Sequence, residues 1–444
     1  MSFDKDFKWG AATAAYQIEG AFDKDGKGLS IWDTFCQKKD KIKNGDTGKV
    51  ACDHYHLFKE DIKLMKKIGL ESYRFSIAWT RIFPKGLGEI NQKGLYFYIK
   101  LVDELIKAGI EPVITLYHWD LPQSLQDIGG WESNKTIEAF VNYAEVIFKT
   151  FNGKVKKFIT HNEPFVVSML GNFKGIHAPG IKDKRVALKV AHNLMRSHGL
   201  AVKKFSNLKI DGEIGITLNL TKAYSYSKDS KDIKAAKLFE DYLNNWFLGP
   251  ILKGKYPEKL LKIYQDEFEN IDFLQKDLDI ISEPIDFLGI NYYSRALVKY
   301  NKDSKLYGIE TIKKQSSEYT AMNWEIYPKG LYDLLINIKE NHADIPLYIT
   351  ENGAAFEDKV ENGRVNDKRR IDYLKKHFKS AKKAIEDGVD LKGYFVWSLM
   401  DNFEWAFGYS KRFGIIHIDY ETKKRTLKDS AYYYKKVIKE NSII

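Results

Sequence analysis

Short apolar runs alternating with longer segments of helical period constrain this chain more than any other feature of its sequence. Residues 54–68 carry Leu57, Phe58, Ile62, Leu64, Met65 and Ile68 at near-helical spacing and stop at Gly69, the residue helices favour just past their C-terminus. A strand-like run, 70–77, follows. The unit repeats with a helix over 94–108, a stop at Gly109 and a run over 110–117. Helical patterns over 136–151 and 185–205 precede runs at 155–159 and 213–219, and further runs fall at 7–16, 285–293, 347–350 and 392–397. Eight strand candidates separated by helical patterns predict a parallel sheet, and eight units predict closure into a (β/α)8 barrel. A doubly wound open sheet is the competing arrangement, but no Gly-x-Gly-x-x-Gly fingerprint follows the first strand. The length of 444 residues would ordinarily suggest roughly three domains, yet α/β barrels run long as one. We therefore expect a single domain over 1–444, with 221–283 and 299–322 as enlarged loops over the open face, the first partly helical.

The ends of the predicted strands are where the polar chemistry lies. Leu347-Tyr348-Ile349-Thr350 is apolar enough to be buried on both faces, and it ends in Glu351-Asn352-Gly353. A buried strand has no reason to finish in an acid unless that end faces something polar. The run 155–159 has the same form and ends in Thr160-His161-Asn162-Glu163-Pro164. Barrel enzymes carry their sites at the C-terminal ends of strands. Those ends supply Gln17, Arg74, His118 with Trp119, Asn162 with Glu163, Asn219, Asn291 with Tyr293, Glu351 and Trp397.

Other features narrow the classes open to the chain. The net charge of +11 raises nucleic acid or an anionic membrane as partners, but the lysines are interleaved with acids along helical segments, as a solvated surface would be. Cys36 and Cys52 lack metal-ligand company, so reduced thiols are expected, and His54 and His56 read as packing residues. Neither a metal nor a cofactor is expected. The N-terminus has no apolar signal core and no apolar run approaches the ~18 residues of a membrane span, so a cytoplasmic protein is expected. Oligomeric state, including a homo-oligomer, is left open.

In seven ordered motifs the chain resembles the family one glycoside hydrolases, retaining β-glucosidases on a (β/α)8 barrel. They are Gln17-Ile18-Glu19-Gly20, Tyr73-Arg74-Phe75-Ser76, His118-Trp119-Asp120-Leu121-Pro122, Thr160-His161-Asn162-Glu163-Pro164, Asn291-Tyr292-Tyr293, Tyr348-Ile349-Thr350-Glu351-Asn352-Gly353 and the stretch from Trp397 to Trp405. The resemblance implies Glu163 as acid/base and Glu351 as nucleophile, with Arg74 and Tyr293 stabilising the nucleophile's charge. It also implies Asn162 at the sugar 2-hydroxyl, Gln17, His118, Glu404 and Trp405 at the other hydroxyls, Trp397 beneath the ring and Trp324 as a platform for the leaving group. Trp119, Asn219, Asn291 and Phe413 complete the expected small-molecule site.

Two carboxyl groups suit this chemistry because displacement at an anomeric carbon needs one to attack and one to protonate the leaving oxygen, about 5–5.5 Å apart in retaining enzymes. The expected reaction is exo-hydrolysis of terminal β-D-glucosyl residues, with galactosyl or fucosyl also open, from cello-oligosaccharides of cellulose breakdown or aryl and alkyl β-glucosides. Relatives specific for 6-phosphorylated sugars carry a serine where this chain has Glu404 and a tyrosine where it has Phe413, while Lys411 is kept. An acid would repel a phosphate dianion but accept hydrogen bonds from hydroxyls. Phe407 stands where many β-glucosidases have another glutamate. A catalytically silent sugar-binding barrel is the other alternative, and it conflicts with retention of both glutamates.

Overall fold

Eight parallel strands close on themselves in the computed structural model, which describes residues 2–444. The barrel strands are β1 (Lys8–Ala12), β2 (Ser72–Ser76), β3 (Glu111–Tyr117), β4 (Lys157–Asn162), β5 (Glu213–Asn219), β6 (Phe287–Asn291), β7 (Leu347–Asn352) and β8 (Leu391–Trp397). Each pairs with its neighbours in the chain, and β1 closes the circle by pairing with β8 from Lys8 opposite Gly393 to Ala12 opposite Trp397. Every residue of β2, β6 and β7 is buried, as expected of strands covered on one face by helices and on the other by the barrel interior. The helix His54–Ile68 ends as its sequence predicts, because Gly69 adopts a left-handed φ of 88° and its N–H reaches back to the Met65 carbonyl.

Glu351 and Asn162 sit where strand register is broken. Pairing of β7 with β6 slips between Ile349 and Glu351, and pairing with β8 slips between Ile349 and Asn352. In β4 the slip falls between Ile159 and Asn162, just before Glu163. Such irregularities twist a strand and re-aim side chains at its end. Gly353 follows immediately, packed so tightly that a Cβ there would lie 1.6 Å from the Trp397 carbonyl oxygen. That obstacle is backbone and cannot rotate away. Gly353→Ala is expected to cost at least about 3 kcal/mol, measured by chemical denaturation.

Three expectations need correction. The first strand stops at Ala12, not at residue 16, and Ala15–Ile18 is a short helix, so Gln17 stands beyond the strand end on a helical turn. The small residues Ala11 to Ala15 carry no turn signal, but Ser76 Oγ accepts from the Ala15 N–H at 2.7 Å and bends the chain into that turn. Arg74 lies in the middle of β2, not at its end, and points its long side chain through the barrel interior. The inserted segments also hold an unexpected three-stranded sheet of Ala223–Ser225, Ala296–Tyr300 and Ile309–Thr311, while helices Ser230–Glu240, Trp246–Lys253 and Glu258–Glu267 fall within 221–283, the insertion expected to be partly helical. Among the described residues, no helix is long and apolar enough to cross a membrane.

Candidate active site

Glu163 and Glu351 line one cavity of about 610 Å³ at the C-terminal mouth of the barrel, and both are buried. Their surroundings differ. Glu351 Oε1 accepts from Arg74 Nη1 at 2.8 Å, and its Oε2 accepts from the Tyr293 hydroxyl at 2.5 Å. Glu163 Oε1 accepts only an amide proton, from Asn291 Nδ2 at 2.7 Å. Burial raises both carboxyls. At Glu351 the guanidinium of Arg74 and the hydroxyl of Tyr293 oppose that rise, whereas at Glu163 the charge of Glu351 adds to it and lifts the group to about 8. A proton shared by this pair therefore belongs on Glu163, leaving Glu351 as the anion.

A chain of side chains behind the two acids fixes them. Arg74 also donates to the Thr350 carbonyl at 3.0 Å, to Thr115 Oγ1 at 3.1 Å and to Asn162 Oδ1 at 2.5 Å. Asn291 bridges Glu163 and Asn162, and its own Oδ1 accepts from Thr350 Oγ1 at 2.8 Å. Asn162 Nδ2 donates to His118 Nε2 at 3.1 Å, which puts the imidazole proton on Nδ1. Burial and the nearby Arg74 push the His118 pKa well down, so the ring is neutral.

Trp119, Glu163 and Trp405 are non-glycine residues with φ of 79°, 50° and 48°, a region that costs free energy for side-chain-bearing residues. The first two are held in place: the Glu163 N–H reaches the Thr217 carbonyl at 2.9 Å, and Trp119 Nε1 donates to the Asn162 carbonyl at 2.8 Å.

Aromatic rings make the rest of the wall. His118 stacks between Trp397 and Trp405, 6.0 Å from each, and Trp324 lies 5.0 Å from Tyr293 and 6.0 Å from Phe413. Asn219 and Glu404 also line the cavity, and burial with the charge of Glu351 lifts the Glu404 carboxyl to about 8. Gln17, Arg74 and Asn162 stand behind the lining. Gln17 gives its amide protons to Asn402 Oδ1 at 2.9 Å and the Phe403 carbonyl at 2.8 Å. The cavity also takes in His177 and the ion pair Arg295–Glu325, which sequence reasoning missed; the pair joins segments 30 residues apart, and no local pattern announces it. His54 Nδ1 makes a 2.7 Å hydrogen bond with Asp61 Oδ2, away from this site. Among the described residues, no group of histidine, cysteine or acidic side chains is arranged to hold a metal.

Residues 1–443 match the family model described as glycosyl hydrolase family 1. Beta-glucosidase A of Acetivibrio thermocellus is 53 % identical over 444 residues, 99 % of each chain. A 1,4-beta-D-glucan glucohydrolase of Thermotoga neapolitana is 49 % identical over 99 % of each. The solved family 1 β-glucosidase of Thermotoga maritima superposes with a TM-score of 0.97 at 48 % identity, covering all of this chain and 99 % of the other. With the family model spanning nearly its whole length, the chain belongs to glycosyl hydrolase family 1.

Proposed function

We propose that the protein is a retaining exo-β-glucosidase, one domain over 1–444, that releases terminal β-D-glucosyl units from aryl or alkyl β-glucosides and short cello-oligosaccharides. The observation that carries this reading is the asymmetry of the two acids: one cavity holds a carboxylate bonded to a guanidinium and a phenol, and a second carboxyl whose proton is favoured. Glu351 attacks the anomeric carbon while Glu163 protonates the departing oxygen. Once Glu351 is glycosylated its charge is gone, the Glu163 pKa falls, and Glu163 takes a proton from the water that attacks the same carbon. Two inversions return a β-configured sugar.

Binding follows from the remaining lining and from the residues directly behind it. Gln17 Oε1, His118 Nδ1 and Glu404 Oε2 are buried with no protein partner, a cost that sugar hydroxyls would relieve. Asn162, held beside the Glu351–Arg74 pair, serves the 2-hydroxyl. Trp397 supplies a flat face for the ring and Trp324 a platform for the leaving group.

An unphosphorylated sugar fits these residues better than a 6-phosphorylated one. Phe413 offers no hydroxyl to a phosphate, and Lys411 donates to the Ala321 carbonyl at 2.5 Å with its ammonium 5.5 Å from the Phe407 ring. With 4-nitrophenyl β-glucoside, β-galactoside and 6-phospho-β-glucoside, the plain glucoside is expected to turn over fastest, with β-glucose as the first product by NMR. A faster phosphorylated substrate would overturn the specificity, and α-glucose as first product would overturn retention.

A further inference from the structure

A second cluster of charges lies beneath the loops after β7 and β8, and the chemistry described above does not use it. Asp401, just beyond β8, is buried. Its Oδ1 accepts from Lys428 Nζ at 2.7 Å and from the Gly414 N–H at 2.9 Å, and its Oδ2 accepts from Arg412 Nη1 at 2.7 Å. Lys428, which leads into the last helix, Asp429–Glu440, is buried too, and it also donates to Asp358. Arg370 donates to Asp358 at 2.8 Å, to Asp367, and to the Ala354 and Arg412 carbonyls at 3.3 and 2.8 Å. Three acids thus meet three cations under two loops, one following Glu351 and the other carrying Glu404 and Trp405. Desolvation offsets much of the attraction in such a cluster, yet losing one member leaves a buried charge uncompensated, so the arrangement enforces one geometry.

Glu404 is the group that needs that geometry. Among the described residues no hydrogen bond reaches its carboxyl, whose Oε2 is buried without a partner. Its place is therefore set by the backbone that bears it. The Glu404 N–H closes a turn onto the Gly408 carbonyl at 2.7 Å, Gln17 holds Asn402 and the Phe403 carbonyl on one side, and Asp401 ties its own end of the loop to Gly414 on the other. We infer that Asp401, braced by Lys428, is a positioning residue for the sugar site and acts through Glu404. The inference rests on the proposed β-glucosidase activity, in which Glu404 meets sugar hydroxyls, and adds to it a residue that touches no sugar. Alanine at 401 would take the acceptor from the Gly414 N–H and from Arg412 and leave Lys428 with Asp358 alone, so the loop would lose its tie and Glu404 its fixed place.

The test is a double-mutant cycle read as kcat/KM on 4-nitrophenyl β-glucoside, with wild type, Asp401→Ala, Glu404→Ala and the double variant, each checked for folding by circular dichroism. Asp401→Ala is expected to lower kcat/KM by roughly ten- to a hundred-fold when Glu404 is present and by less than about three-fold when it is already alanine, the coupling expected of residues in one network. A role confined to stability would cost the same factor in both backgrounds. Equal losses in the two backgrounds, or no loss in the single variant, would therefore overturn the inference. Should Asp401→Ala fail to fold, Asp401→Asn, which keeps one acceptor oxygen, carries the same cycle with a smaller loss, and equal losses there would overturn the inference in the same way. Wild-type protein that releases no 4-nitrophenol would overturn the β-glucosidase reading itself and this inference with it, whereas active wild type with additive losses would remove Asp401 alone.

Discussion

Glu351→Gly is expected to lower turnover of 4-nitrophenyl β-glucoside by roughly four to six orders of magnitude, the scale of loss when a covalent nucleophile is removed. Added azide should restore much of that rate. The substitution opens space beside Arg74, which keeps its bonds to Thr115, Asn162 and the Thr350 carbonyl and so remains a fixed cation able to hold an anion there. Azide then attacks from the face Glu351 used, while Glu163 still protonates the leaving group. One inversion gives α-glucosyl azide, which cannot be turned over by the same route and accumulates. The product is read by NMR. A folded variant that stays inert at high azide, or that gives the β-azide, would remove Glu351 from the nucleophile's position. Because Tyr293 and Arg74 both bond to Glu351, either outcome also bears on their assignment as its stabilisers.

The positions of the two acids were legible because each ends a run that burial makes costly for charge. An apolar strand followed by Thr, Glu and Asn has few structural explanations, and the barrel rule then brings separate strand ends to one mouth. Gln17 was harder, since nothing between Ala11 and Ala15 distinguishes a continuing strand from a turn; the decisive contact is Ser76, 61 residues away. The small sheet was invisible for a related reason. Its first strand is three residues long, and its partner, Ala296–Tyr300, ends in exposed Lys299 and Tyr300 without an apolar alternation. The broken register at Ile349–Asn352 also lies outside what local pattern can express, because a bulge is a relation between two strands. What sequence supplied was residue types at strand ends; what it lacked was the pairing that separates a carboxylate braced by Arg74 from a carboxyl braced by an amide.

Glu163→Gln tests that separation from the other side. Glutamine keeps the shape and the contact with Asn291 but holds no transferable proton, so the loss should depend on how much the leaving group needs one. Methyl and hexyl β-glucosides should lose about 10²- to 10⁴-fold in kcat/KM, the usual worth of a positioned general acid. A 2,4-dinitrophenyl glucoside, whose phenolate departs unprotonated, should lose far less in its first step, and glycosyl-enzyme should accumulate because no base remains to activate water. Azide needs no base and should release it as β-glucosyl azide, the opposite anomer to that from Glu351→Gly. The pH profile supplies a second reading. Catalysis needs Glu163 protonated, so wild-type kcat/KM should fall as pH rises through about 8, and that limb should vanish in Glu163→Gln. A limb near pH 8 that survives would pass to Glu404, whose carboxyl is lifted to the same range. Equal losses for the alkyl and dinitrophenyl substrates would deny Glu163 the role of acid altogether.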